Sequence, residues 1–191
     1  MASLIERDKR IVAWGRLRYV LSRYLGHLPG DIQIVRTPSG CPEIVSPKES
    51  GIRFSLAHSK NAGLVAVSHM PVGIDLECIR PSLDANALSA RFFTPNESEA
   101  IAGLPKDERV EAFFRVWVRK EAYLKAAGGS VPASLSKCEV SVDAVNPRIL
   151  VTELESEGPF GQLIDIPVLP GYLAALAVLG DNVDIQIYDL E

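Results

Sequence analysis

Apolar positions in residues 5–25 fall at Ile11, Trp14, Leu17, Leu21 and Tyr24, three and four apart, which predicts an amphipathic helix ended by Gly26 and Pro29. Its other faces carry Arg7, Lys9, Arg10, Arg16, Arg18 and Arg23, which suit a solvated face or an anion-binding one equally. Residues 32–36 alternate like a strand, and TPSGCPEIVSPKESG then reads as a Pro/Gly-rich connection. Three short β-like runs follow, at 52–57, 63–68 and 72–77. The turn His69-Met70-Pro71 predicts a hairpin between the last two. Residues 83–93 read as helical. Thr94-Pro95-Asn96-Glu97 offers an N-cap, a proline at the first helical position and a glutamate three residues on, which together make a capping box. A second long helix is expected over 107–127, stopped by Gly128-Gly129, with strand-like runs at 138–142, 149–154, 172–179 and 183–188. The order is a long helix and then strands, twice over, with a spacing of roughly 100 residues and no residue-level repeat. The expected architecture is α+β. It consists of two halves, 1–80 and 81–191, related by an approximate twofold axis and meeting near residues 78–84. Each half packs one long helix on a small antiparallel sheet.

The 191 residues are 47% hydrophobic and 23% charged, as in a globular protein with a substantial core. A net charge of −4 argues against broad nucleic-acid binding, so a polyanionic ligand would need a local cluster of Lys and Arg. Cys41, Cys78 and Cys138 are odd in number and form no CxxC pair, which speaks against a disulfide framework or zinc knuckle and for a reducing compartment. The opening MASLIERDKR is charged where a signal peptide turns apolar. The most apolar stretch, 172–179, falls far short of the ~20 residues that span a bilayer. A cytoplasmic protein with no membrane segment is expected.

Three segments carry candidate chemistry. In GIDLE, Asp75 and Glu77 are two apart on a strand and share a face, while Ile74 and Leu76 take the other. Two such acids repel unless a cation lies between them, and a hard ion such as Mg²⁺ with phosphate in its shell fits. Acids exposed at a strand end fit the same pattern. On the second long helix Trp117, Glu121 and Lys125 fall along one stripe. Glu121 and Lys125 could be a metal ligand beside a phosphate-binding lysine, or an ordinary helix pair worth a few tenths of a kcal/mol. His58, in FSLAHS, gains meaning only beside phosphate or ribose.

Together these segments resemble the 4′-phosphopantetheinyl transferases, specifically the larger surfactin-synthetase type. GIDLE is similar to that family's G-[IV]-D-[IVL]-E motif and WVRKEAYLKAAG to its W-x-x-K-E-[AS]-x-x-K-x-x-G motif. FSLAHS is similar to its F-N-[ILV]-S-H-S segment and RFFTPNE to its F-F-[ST]-x-x-E segment, all in the family's order. The resemblance covers residues 10–128 well. It implies a cytoplasmic enzyme that moves phosphopantetheine from coenzyme A, its co-substrate, to a serine of an apo acyl or peptidyl carrier protein. Adenosine 3′,5′-bisphosphate is released. By the same resemblance Asp75, Glu77 and Glu121 would hold Mg²⁺, Glu121 or a water it orients would be the general base, and Lys125 would act beside it. Lys120, Lys125, His58, Arg10 and Arg18 would contact coenzyme A, and the carrier would approach near Phe92 and Phe93. No nucleic acid or membrane partner is implied, and a monomer is expected over a homodimer.

The chain departs from the family at Cys41, which stands where a lysine is usual, at Trp14 in place of an arginine, and at Ala57 in place of a serine. Some tens of residues that precede the first helix in the family, including a strand, are also expected to be missing. These departures keep open a second reading, in which a weakly active or inactive relative binds coenzyme A or a carrier protein.

Overall fold

The computed structural model describes residues 4–190 apart from 38–39, 49, 129–134, 154–160 and 181–182, and no side chains of 4–10 or 151–152. Helix α1 (Leu4–Leu25) forms as the apolar spacing predicts. Its buried stripe is narrower than expected. Leu17 and Leu21 pack with Ile32 and Phe54, and Trp14 joins them partly buried. Ile11 is 60% exposed and Tyr24 53%, while Leu25 packs against the same cluster as Leu17 and Leu21. Gly26 ends it in the left-handed region, at φ 67°, a conformation cheap for glycine alone.

Strand β1 (Gln33–Arg36) pairs antiparallel with β2 (Pro42–Ser46). The segment read as a plain connection therefore holds a strand. Its alternation is only five residues long and begins at a proline, which an edge position tolerates. Strands β3 (Arg53–Ser59) and β4 (Ala62–Ser68) form a hairpin whose turn places Lys60 at φ 51°. Strand β5 (Val72–Cys78) does not continue it, so the hairpin expected across His69–Pro71 is corrected. Instead β5 pairs antiparallel with β9 (Tyr172–Val178), with Asp75 opposite Ala175, and β9 pairs in turn with β8 (Gln162–Asp165), a strand the sequence reading missed. The other edge of β5 is served by side chains of β3: the Ile74 amide donates to Ser55 Oγ at 3.1 Å and the Cys78 amide to Ser59 Oγ at 3.0 Å. β5 is thus enclosed on both edges, and its ladder to β9 crosses the boundary drawn near residues 78–84.

Helices α2 (Ala85–Phe92) and α3 (Pro95–Gly103) lead to α4 (Arg109–Ala126). The capping box at α3 is complete in both arms. Ala112, Phe113, Phe114, Val116, Val118, Ala122, Tyr123 and Leu124 of α4 anchor the largest apolar cluster. Strands β6 (Cys138–Val140) and β7 (Ile149–Thr152) pair against it. Residues 183–188 form no strand: they alternate as expected, and Val183 and Ile185 pack on the cluster around Ile74 and Leu76, but no neighbouring strand pairs with them. The observed fold is α+β, with four helices and small antiparallel sheets among the described residues. None of those helices is long and apolar enough to cross a membrane. The three cysteines are free.

Candidate active site

The site is built where α4 lies across β5. The two approach so closely that a Cβ on Gly73 would stand 2.0 Å from the Ala122 carbonyl oxygen and 2.5 Å from the Ala126 nitrogen. Glycine is required there because the obstacles are backbone. The next inward position, Asp75, is 5% exposed and faces the last turns of α4, while Ile74 and Leu76 enter the apolar cluster on the opposite side. Lys125 Nζ donates to Asp75 Oδ1 at 2.6 Å and to the Ile74 carbonyl at 3.1 Å, and stands 3.6 Å from Glu121 Oε2. Glu77 accepts from Ser59 Oγ at 3.1 Å.

The acids perturb one another. Burial, then the Asp75 and Glu77 charges, push Glu121 up from 4.5 to about 7 against the opposing pull of Lys125. Burial and then Asp75 raise Glu77, while Ser59, Arg80 and Lys125 oppose. Asp75 Oδ2 is buried without a hydrogen-bond partner. Buried polar atoms are nearly always paired, so an orphaned carboxylate oxygen beside two acids with raised proton affinity suits a hard cation. Among the described residues no three His, Cys, Asp or Glu side chains are already drawn together as a metal cage. Lys125 is what neutralises Asp75 here.

The structure distributes the remaining expected residues unevenly. His58 is exposed at the end of β3, one position before the Ser59 that bonds Glu77. It opens on a groove of about 2070 Å³ also lined by Arg16, Arg23 and Lys60. Ile74 and Leu76 line that groove too, so it runs across β5 from Asp75. Arg18 is half-buried, donating from Nε to the Ile32 carbonyl at 3.1 Å and stacking on Trp14. Arg36 stacks on the same ring and donates to the Gly40 carbonyl beside Cys41. Arg10 lies in α1, and its side chain is outside the described residues.

Lys120 is a correction. It was expected to contact phosphate, but its side chain is 0% exposed, with Nζ donating to Glu97 Oε2 and to the Cys138 carbonyl, each at 2.5 Å. It points into the core one helical position round from Glu121. Phe93, expected at a docking surface, is also buried, stacked on Phe113 with centroids 5.0 Å apart. Phe92 is half-buried edge-on to Trp117.

Ser59, Gly73 and Glu97 stand inside the motifs FSLAHS, GIDLE and RFFTPNE, but sequence reasoning gave none of them a role of its own. The alternation of FSLAHS puts Ser59 on the face of Ser55. Glu97 was read as half of a capping box and as the last residue of its motif.

Residues 71–176 match the family described as the 4′-phosphopantetheinyl transferase superfamily. That span includes Asp75, Glu77, Glu121 and Lys125. The chain is similar to the 4′-phosphopantetheinyl transferase HetI of Nostoc sp., 38% identical over 179 residues that cover 92% of this chain and 73% of that protein. It is 35% identical over 122 residues to the putative 4′-phosphopantetheinyl transferase slr0495 of Synechocystis sp., covering 63% of this chain and 50% of the relative. Among solved structures, a holo-(acyl-carrier-protein) synthase from Bacillus anthracis in complex with CoA (3′,5′-ADP) is similar at 24% identity and a TM-score of 0.47. It covers 58% of this chain and 95% of the other.

Proposed function

The chain belongs to the 4′-phosphopantetheinyl transferase superfamily, and we propose that it transfers the phosphopantetheine arm of coenzyme A to a serine of an apo acyl or peptidyl carrier protein. The observation that carries this reading is the convergence of Asp75, Glu121 and Lys125 across the β5–α4 contact, with Glu77 in the same field. A module that only bound a ligand would have no need of two carboxyls, Glu77 and Glu121, held near Asp75 at raised proton affinity.

In the proposed reaction the serine hydroxyl attacks the β-phosphorus of coenzyme A. A new P–O bond to serine forms as the pyrophosphate P–O bond breaks, and adenosine 3′,5′-bisphosphate leaves. Glu121, or a water it orients, is placed to accept the hydroxyl proton. Lys125 exchanges its hold on Asp75 for a phosphate oxygen and balances charge as the leaving group departs. The oxygens of Asp75, Glu77 and Glu121 are the donors that would hold Mg²⁺, which when bound neutralises the pyrophosphate and stabilises the leaving group. His58 and Arg18, with Arg10, would take the nucleotide end. The low-barrier part of the task is positioning, and the closeness of α4 to Gly73 supplies it.

Finer features belong to the same proposal. The protein is a surfactin-synthetase-type member with halves 1–80 and 81–191 and a pseudo-twofold between them, the site lying at their seam. It works as a cytoplasmic monomer. The β5–β9 ladder is compatible with such a seam, because it is where the halves would be stitched together. A second reading, a relative with weak turnover, draws on the Trp14 stack, which ties up Arg18 beside the neutral Cys41. One experiment separates them: mass spectrometry of apo carrier proteins after incubation with the protein, Mg²⁺ and coenzyme A. A gain of one phosphopantetheine, lost on chelation, supports transfer. Binding of coenzyme A without any mass gain supports the second reading.

A further inference from the structure

Two consecutive cations of α4 are fully buried immediately before Glu121. Arg119 is 0% exposed and makes a two-pronged contact with Asp165 of β8, Nε to Oδ1 at 2.9 Å and Nη2 to Oδ2 at 2.6 Å. Its Nη1 donates to the carbonyls of Ser141 and Asp143. Lys120 donates to Glu97 and the Cys138 carbonyl, and its ammonium stands 5.3 Å from the centre of the Phe93 ring. Glu97, 2% exposed, is the hub of this arrangement. Its Oε2 accepts from the Thr94 amide at 2.9 Å, from Thr94 Oγ1 at 3.1 Å and from Lys120. Its Oε1 accepts from the Val140 amide at 2.8 Å. One carboxylate therefore joins the start of α3, the middle of α4 and strand β6.

At Gly73 α4 meets β5 backbone against backbone, which sets how near the helix lies but does not by itself set its rotation about its own axis. On α4, Lys120 and Glu121 point about 100° apart. Fixing the direction of Lys120 therefore fixes that of Glu121, and of Lys125 one turn on. We propose that Glu97 is a positioning residue for the transfer reaction. Through Lys120 it sets the rotation of α4 that presents Glu121 and Lys125 to Asp75, and Lys120 itself touches no coenzyme A phosphate. This rests on the transfer reading above. It extends that reading to a buried residue beside α4 whose local pattern is that of a helix cap and which touches none of Asp75, Glu121 and Lys125.

The test compares the wild type with Glu97→Gln and with the double variant Glu97→Gln/Lys120→Met. The first keeps an acceptor for Lys120. The second removes both charges together, so neither is left buried alone. Folding is checked by cooperative thermal unfolding, coenzyme A affinity by calorimetry, and kcat with an apo carrier by mass spectrometry. Lys125→Ala serves as the reference for losing the lysine placed on phosphate. The expected result is kcat lowered about 10- to 100-fold in the double variant and less in the single one, with a loss of coenzyme A affinity no larger than that of Lys125→Ala. A larger loss of coenzyme A affinity in the double variant than in Lys125→Ala would overturn the proposal, because it would put Lys120 on a phosphate of its own. Unchanged kcat in a folded double variant would overturn it too. If the wild type modifies no carrier, the transfer reading itself fails. A crystal structure of the Glu97→Gln protein then decides the positioning alone: a turned α4 upholds it and an unmoved one rejects it.

Discussion

Replacing Gly73 by alanine adds a single methyl group at the point where β5 and α4 touch. That methyl would lie 2.0 Å from the Ala122 carbonyl oxygen, 2.5 Å from the Ala126 nitrogen and 2.9 Å from the Lys125 Cβ. Two of the three obstacles are helix backbone, so no side chain can swing aside to make room. Ordinary contact begins at 3.4 Å, so α4 must retreat from β5 by about 1.4 Å. The largest apolar cluster is disturbed with it, because α4 supplies half of that cluster's buried residues. Overpacking of this kind costs about 1–3 kcal/mol. The catalytic consequence is larger in proportion. Lys125 Nζ sits 2.6 Å from Asp75 Oδ1, and a retreat of that size breaks the contact and carries Glu121 away with it. A misplacement of about 1 Å at reacting groups can cost 10²-fold in rate. Gly73→Ala should therefore lower the urea midpoint and reduce carrier modification by about two orders of magnitude in protein that remains folded. The assay is urea unfolding alongside mass spectrometry of the carrier. A variant with the wild-type midpoint and wild-type turnover would refute the reasoning, since it would mean that α4 does not lie against β5 as described.

Glu121→Gln should keep the fold and lose most turnover, read by the same carrier assay; full activity would remove Glu121 as base and as essential ligand. In metal-free protein Glu121 holds its proton up to about pH 7 while the unfolded chain releases it near 4.5, so the folded state binds more protons in that window and stability should fall as pH rises through it. Thermal melts across that range check the sign, and added Mg²⁺ should offset the loss at the upper end; a midpoint that rises with pH would contradict the acid cluster. Cys41→Lys should tighten coenzyme A more than its 3′-dephospho form, by an increment of the ~1.5–3 kcal/mol expected of a charge-assisted hydrogen bond. Equal effects on both ligands in calorimetry would show that Arg36 or Arg18, stacked beside that loop on Trp14, already fills the role.

What could be read from the sequence was what depends on near neighbours. The two-residue period put Asp75 and Glu77 on one face and Ile74 and Leu76 on the other, and the structure keeps that division. The spacing of four placed Glu121 above Lys125, and their charged atoms stand 3.6 Å apart. The Thr94 capping box follows from four consecutive residues and is present in full. Partners distant in the chain were not legible. The partner of β5 is β9, whose Ala175 opposes Asp75 from a hundred residues further on, whereas local turn residues suggested β4. Strands β2 and β8, five and four residues long, carry too few apolar positions to stand out from loops. Residues 183–188 carry the alternation of a strand, but alternation does not say whether another strand will pair with it. Lys120 was misread for the same reason. Its carboxylate partner lies 23 residues upstream, and nothing in the helix pattern separates a lysine that faces a ligand from one that faces a buried glutamate.

That last contrast bears on how charges in this interior should be interpreted. Lys120 and Glu97 are more deeply buried than Asp75, yet each polar group of the pair has a partner: amides, a hydroxyl, a carbonyl and an aromatic face enclose them. A buried charge satisfied on every side is bound to one geometry and has nothing left to offer a substrate. Asp75 is the opposite case. One of its oxygens holds Lys125 and the other has no donor unless Glu121 is protonated, while the acids nearby are pushed toward their protonated forms, Glu121 in part by a side-chain hydrogen bond to Asp75. Such an arrangement is unfavourable on its own, and it persists because Gly73, Arg119 and Lys120 fix α4 against β5 and β8 and beside α3. Burial alone therefore does not distinguish structural from functional charges in this protein. The pattern of satisfied and strained groups is the better guide, and the proposed roles follow it: Asp75 with Glu121 in the reaction, Lys120 in the framework that holds them.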